Sequence, residues 1–218
     1  MPSEAHVQYK FGEWLNKIIK VMQKEADPAE LAREMAQKEV KLEQEAIRDP
    51  GTGVYNKSQI GVLLGREVTL ARKYGWKMYV LFLDLDYFRE VNNTEGHLKG
   101  DEVLKRLVNI MQDVTGKESL IGRYGGEEFV VGLSDMETEA VRESAFKLGL
   151  TIKKNLAQEC HLKKPELTAS IGLASLQEGE NVSDLINRSD KLMYQAKNAG
   201  RNRIACQNGG QTEILLIE

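Results

Sequence analysis

The sequence predicts an α/β layered domain, a mixed β-sheet flanked by helices, with a helical extension in front of it. Three observations lead there. Tyr79–Leu83 is a continuous apolar run, the mark of a strand covered on both faces. Apolar residues recur at helical spacing on both sides of that run. Two short apolar runs, Ser119–Tyr124 and Phe129–Leu133, flank Gly125-Gly126 as a hairpin would, so helices and strands interleave along the chain.

The elements follow in order. Residues 5–47 are highly charged and helix-forming, broken at Asp27-Pro28, where Asp27 suits an N-cap, Pro28 the first helical position and Glu30 the third. Two helices are expected, the second with a thin apolar stripe of Leu31, Met35, Val40, Leu42 and Ile47. That stripe suits either a signalling stalk or a helix packed on its own domain. Ile60, Leu63, Leu64, Val68 and Ala71 mark the next helix, and Val103, Leu104, Leu107, Val108 and Met111 another. Between them lies the apolar strand. After the hairpin, 137–157 reads as a long helix, Leu167–Ala174 as a strand, and Leu185, Ile186, Ser189, Leu192, Met193 and Ala196 as the last helix. The expected division is a helical extension over 1–46, a domain over 47–206 and a tail over 207–218.

Composition sets limits. At 218 residues and 41% hydrophobic, the chain can bury one good core but not two full domains beside a linker. A net charge of −3 argues against nucleic-acid binding through a basic face. Cys160 and Cys206 are too few for a disulfide framework and suit a reducing compartment. No apolar run of about 18 residues is present, so no direct membrane insertion is expected and the chain reads as soluble and cytoplasmic.

Two carboxylate clusters carry the chemistry. The apolar run continues directly into Asp84 and Asp86, with no Lys or Arg between Met78 and Phe88. An ionised carboxylate at the end of a buried strand is costly without a counter-charge, so a divalent cation or a turn-capping role is implied. The second cluster is Glu127-Glu128, beside a Gly-Gly turn expected to have two central residues at positive φ. Adjacent carboxylates there suit either a solvated hairpin tip or a cation site.

These segments form an ordered series that resembles the GGDEF domain of diguanylate cyclases, here with a Gly-Gly-Glu-Glu-Phe signature at 125–129. The series opens with Arg48-Asp49-Pro50-Gly51-Thr52-Gly53-Val54-Tyr55-Asn56 and continues through Asp84-Leu85-Asp86-Tyr87-Phe88-Arg89, Asn92 and Gly96-His97-Leu98-Lys99-Gly100-Asp101. It closes with Asp190, Tyr194-Gln195-Ala196-Lys197 and Gly200-Arg201-Asn202-Arg203. The resemblance implies a palm-like fold shared with nucleotidyl cyclases. It also implies condensation of two GTP molecules into cyclic di-GMP across a homodimer.

By resemblance, Asp84, Glu127 and the Leu85 carbonyl would ligate Mg²⁺ or Mn²⁺, ions suited to hard oxygen donors. Glu128 would be either a second-metal ligand or the base for the 3′-hydroxyl. Asn92 and Asp101 would read guanine, a carboxylate that pairs with the N1–H and N2 amine and thereby rejects adenine. Lys197 and Arg201, four apart near the end of the last helix, would hold phosphates together with the backbone amides of Phe88 and Arg89. Gly125 and Gly126 would let substrate approach bare backbone.

The sequence departs from the family where many members carry an Arg-x-x-Asp product-binding motif: those positions read Gly116-Lys117-Glu118-Ser119. Weakened product inhibition is expected. The first 46 residues are too short for a sensor domain, so any input is expected to come through the helices, through a separate upstream sensor or signalling partner, or through self-association. The competing reading is a catalytically silent GTP-binding module acting through a partner.

Overall fold

A computed structural model describes residues 13–19, 28–163, 166–208 and 211–218. The chain divides into two compact units, Met1–Ala46 and Ile47–Glu218. In the first, helix α1 spans 13–19 and α2 spans Pro28–Ile47, with the Lys38 ammonium 5.3 Å above the Trp14 ring. The expected Asp27 cap and the Val40 and Leu42 side chains lie outside the described residues. Met35 of the predicted stripe is exposed and Leu31 half-buried.

The second unit is a sheet between two helical layers. Helix α3 (Lys57–Tyr74) starts where the Asn56 side chain accepts the Gln59 N–H at 3.0 Å and stops at Gly75, in the left-handed region. Strand β1 (Met78–Leu85) follows, then α4 (Phe88–Glu95), α5 (His97–Thr115) and the strands β2 (Leu120–Arg123) and β3 (Glu128–Ser134). Helix α6 (Thr138–Thr151) widens into a π-helical stretch at Ile152–Leu156 before the short α7 (Ala157–Glu159), where periodicity predicts one uniform helix. Strand β4 (Ala169–Ser175), α8 (Val182–Asn198), β5 (Arg203–Asn208) and β6 (Gln211–Leu216) complete the unit. Within the expected tail, residues 207–208 end β5, Gln211–Leu216 form β6 and Ile217 is completely buried.

The sheet order is β2-β3-β1-β4-β5-β6, with only the β4–β5 pair parallel. Strand β1 is therefore central, and all eight of its residues are buried. Alternation along it divides the core. Tyr79, Leu81, Leu83 and Leu85 join the layer formed with α5 and α6, whereas Met78, Val80 and Phe82 join the one with α3 and α8. Asp84 continues the second series, which aims a carboxylate at the face that α8 covers.

How closely α8 approaches is set by Gly172 on β4, opposite Phe82. A Cβ there would stand 2.0 Å from the Ser189 carbonyl oxygen and 2.3 Å from the Met193 nitrogen, so helix backbone rests on sheet backbone. Gly172→Ala should cost about 3 kcal/mol, because neither backbone can yield without moving its element. A urea denaturation midpoint unchanged by that substitution would show that α8 is not seated on Gly172.

Candidate active site

Asp84 stands directly opposite Glu128 of β3 on one side and Ser170 of β4 on the other. It is 4% exposed. Its Oδ2 lies 2.7 Å from the Lys197 ammonium, and its Oδ1 is buried without a hydrogen-bond partner. Burial pushes the Asp84 carboxyl up to about 6. Lys197 acts against that rise, while the charges of Glu127 and then Glu128 add to it. The site thus holds more negative charge than one ammonium balances.

Asp86, for which the sequence implies a cation site or a turn-capping role as it does for Asp84, is satisfied. It accepts hydrogen bonds from Thr168 Oγ1 at 2.7 Å, Ser170 Oγ at 2.8 Å and the Asn202 N–H at 2.9 Å. It ties the end of β1 to β4 and to the chain leaving α8. Tyr87 then takes a left-handed conformation, φ 61°, turning the chain from β1 into α4. Its side chain does not cap that helix, whose first residues line the cleft at this strand end.

A cleft of about 260 Å³ opens at this strand end, and Asp84, Leu85, Phe88, Arg89, Glu127, Lys197 and Arg201 line it together. Seven sequence-predicted residues from three separate segments therefore meet in one place. Acidic groups from β1 and the hairpin face basic groups from α8 and the turn after it. Glu128 and the glycines behave differently. Neither Gly125 nor Gly126 has a positive φ, and the hairpin is closed by four residues, 124–127, rather than two. A Cβ on Gly125 would lie 2.3 Å from Glu128 Oε2, the movable end of a side chain that folds back over the turn. Asn92 and Asp101 lie outside the cleft lining, at the corner where α4 meets α5, with the Asn92 amide against Gly100 and Asp101 exposed.

Sequence reasoning passed over the brace on the hairpin. Arg123 donates from Nε and Nη2 to the Gly126 carbonyl at 3.0 and 2.8 Å, and from Nη1 to Asp49 Oδ1 at 3.0 Å. Burial pushes the Asp49 carboxyl upward, but hydrogen bonds from Thr52 and Arg123 more than offset it and hold the group below its usual range. Both residues belong to segments quoted above, yet their separation of 74 positions hides the pairing.

The residues fit a divalent cation. Asp84 Oδ1 is an orphaned buried acceptor, a second carboxylate lines the same cleft, and all the candidate donors are oxygen. Among the described residues no group of three or more His, Cys, Asp or Glu side chains is assembled for a metal, so the set needs the Leu85 carbonyl or substrate oxygens to be complete.

Residues 46–203 match the family model described as diguanylate cyclase, GGDEF domain. The chain is 34% identical over 163 residues to the diguanylate cyclase DgcP of Pseudomonas aeruginosa, covering 74% of this chain and 24% of that protein. It is 34% identical over 170 residues to the diguanylate cyclase DgcM of Escherichia coli, covering 76% of this chain and 40% of that protein. The chain thus spans well under half the length of these relatives. Among solved structures it resembles the GGDEF domain of DgcB from Caulobacter crescentus in complex with c-di-GMP, with a TM-score of 0.68 and 26% identity, covering 74% of this chain and 95% of that one.

The raised Asp84 carboxyl gives a signed expectation. Its folded value, about 6, exceeds the unfolded 3.8, so the stability it contributes is fully present below 3.8 and is lost as pH rises through about 6. Without divalent ions, Asp84→Asn should therefore melt several degrees above the wild type at pH 8, with the gap closing toward pH 4, and Mg²⁺ should raise the melting temperature of the wild type only. A melting difference independent of pH would contradict this account of the site.

Proposed function

Because this chain belongs to the GGDEF domain family, we propose that it is a diguanylate cyclase, joining two GTP molecules into cyclic di-GMP with release of two pyrophosphates. The observation that carries the reading is the Asp84 carboxylate, buried with one oxygen unpartnered, in a cleft where Glu127 faces Lys197 and Arg201. Such an arrangement is costly for an empty protein and suited to a metal-bound triphosphate. The intact pair of Asp84 and Glu127 keeps the carboxylates that turnover needs, which supports the cyclase over the catalytically silent GTP-binding module.

Asp84, Glu127 and the Leu85 carbonyl would hold Mg²⁺ or Mn²⁺. The ion would neutralise part of the triphosphate's charge and steady the attacking and leaving oxygens. Lys197 and Arg201 would bind the outer phosphates, Lys197 exchanging its contact with Asp84 for one with substrate. The amides at the start of α4, at Phe88 and Arg89, add the positive end of a helix dipole. Asn92 and Asp101 would bind guanine at the α4–α5 corner. Glu128, across from Asp84, is the carboxylate for a second ion or for the 3′-hydroxyl proton.

In each half-reaction a 3′-oxygen forms a bond to the α-phosphorus of the other GTP, the bond from that phosphorus to the β-phosphate oxygen breaks, and the hydroxyl proton leaves to a base. One domain holds one GTP, so two copies must face each other for turnover. The helices of residues 1–46 would bring copies together or take a signal from an upstream partner in the cytoplasm. No helix among the described residues is long and apolar enough to cross a membrane.

Incubating the purified chain at high concentration with GTP and Mg²⁺ should yield cyclic di-GMP by mass spectrometry, while an Asp84→Ala, Glu127→Ala double variant should yield none. No product from a folded, GTP-binding, dimeric wild type would favour the silent module instead. With Gly116 and Ser119 in place of the Arg and Asp anchors, a product titration should show only weak inhibition. Micromolar or tighter inhibition from that position would refute the loss of the inhibitory site.

A further inference from the structure

The turn after α8 is strained. Gly200, Arg201 and Asn202 stand in succession at positive φ, 117°, 61° and 49°, a region that costs a non-glycine residue on the order of 1 kcal/mol. Arg201 projects from the middle of this turn into the cleft and lies 4.8 Å above the Tyr87 ring, itself at positive φ. Some contact must hold the turn.

At the helix end the Gly200 N–H donates to the Lys197 carbonyl at 3.2 Å and the Arg201 N–H to the Ala196 carbonyl at 3.1 Å, and a further contact comes from the far end of the chain. The Ile217 N–H donates to the Asn202 carbonyl at 3.1 Å, and the Asn202 Nδ2 donates to the Ile217 carbonyl at 2.9 Å, a two-point clamp between one main chain and one residue. Lys153 Nζ donates to the same Ile217 carbonyl at 3.1 Å. The Ile217 side chain is fully buried against α6 at Gly149, so the clamp has a fixed base. On its other side Asn202 donates its N–H to Asp86 Oδ2 at 2.9 Å, which places it between the chain terminus and the end of β1. Residues 204–218, which supply the Ile217 side of the clamp, lie beyond the segment that matches the family model, whereas Asn202 lies within it.

We propose that Ile217 and Asn202 are positioning residues for Arg201: the C-terminal hairpin holds the left-handed turn that aims the Arg201 guanidinium at the outer phosphates of the nucleotide. The proposal rests on the reading that the cleft binds GTP. Arg201 touches the ligand, whereas Ile217 acts only through Asn202. A loosened turn would relax toward ordinary backbone angles and withdraw the guanidinium, weakening phosphate binding more than folding.

The test is a cycle of variants in the full chain: truncation after Leu216, Asn202→Ala, Arg201→Ala and each pairing with Arg201→Ala, with Ile217→Val as the conservative control. Affinity for the α,β-methylene analogue of GTP with Mg²⁺ is read by calorimetry, and KM and kcat for GTP by product formation. Truncation and Asn202→Ala should each weaken binding about tenfold, chiefly through KM, and should weaken it little further once Arg201 is gone. Ile217→Val should bind as the wild type does. Equal losses in the presence and absence of Arg201 would overturn the proposal, because a merely structural clamp acts in both backgrounds. Unfolding of both the truncated chain and Asn202→Ala would overturn it as well, since the clamp would then serve stability alone. A wild type that binds no GTP analogue would instead bring down the cyclase reading beneath it.

Discussion

One ionisable group is placed where the fold can least tolerate it. Asp84 ends a strand whose eight residues are all buried at the centre of the sheet, and one of its oxygens has no partner. A carboxylate in that position raises its own proton affinity and destabilises the ionised empty protein. Lys197 relieves part of the charge, and the nearby Glu127 and Glu128 undo part of that relief. The surrounding structure can be understood as what keeps this residue in place despite that cost.

Two devices do so. The seat of α8 on Gly172 brings the helix backbone against the sheet and carries Lys197 and Arg201 to the strand end. Asp86, with three hydrogen bonds, fixes the same strand end from the other side. The two acidic residues have the same chemistry and opposite purposes. Asp86 is spent on structure, which leaves Asp84 free for function. Arg123 completes the frame by holding the Gly126 carbonyl to the Asp49 turn, so the hairpin that bears Glu127 is braced from outside the cleft.

Much of this was legible in the chain because it is local. The apolar run Tyr79–Leu83, the helical stripes of α3, α5 and α8 and the hairpin around the glycine pair depend only on spacing, and each stands close to where spacing puts it. The glycine pair was misread in its mechanism. A two-residue turn needs positive φ, whereas here four residues close the hairpin and the Glu128 side chain folds back over Gly125. The pairing of the C-terminal residues was not legible, since an apolar run of Ile214 to Ile217 after two glycines carries no sign of which strand it will pair with.

Local spacing carries the helical stripes, the central strand, the hairpin and the family motifs, because periodicity and motif spacing are properties of neighbouring positions. The tertiary structure alone decided which acidic residue is satisfied and which is left wanting. That distinction depends on partners far along the chain: Lys197 for Asp84, and Thr168, Ser170 and Asn202 for Asp86. A hydrogen bond between residues more than 80 positions apart leaves no trace in local spacing. It exists only once the sheet has brought the segments together and closed them off from water.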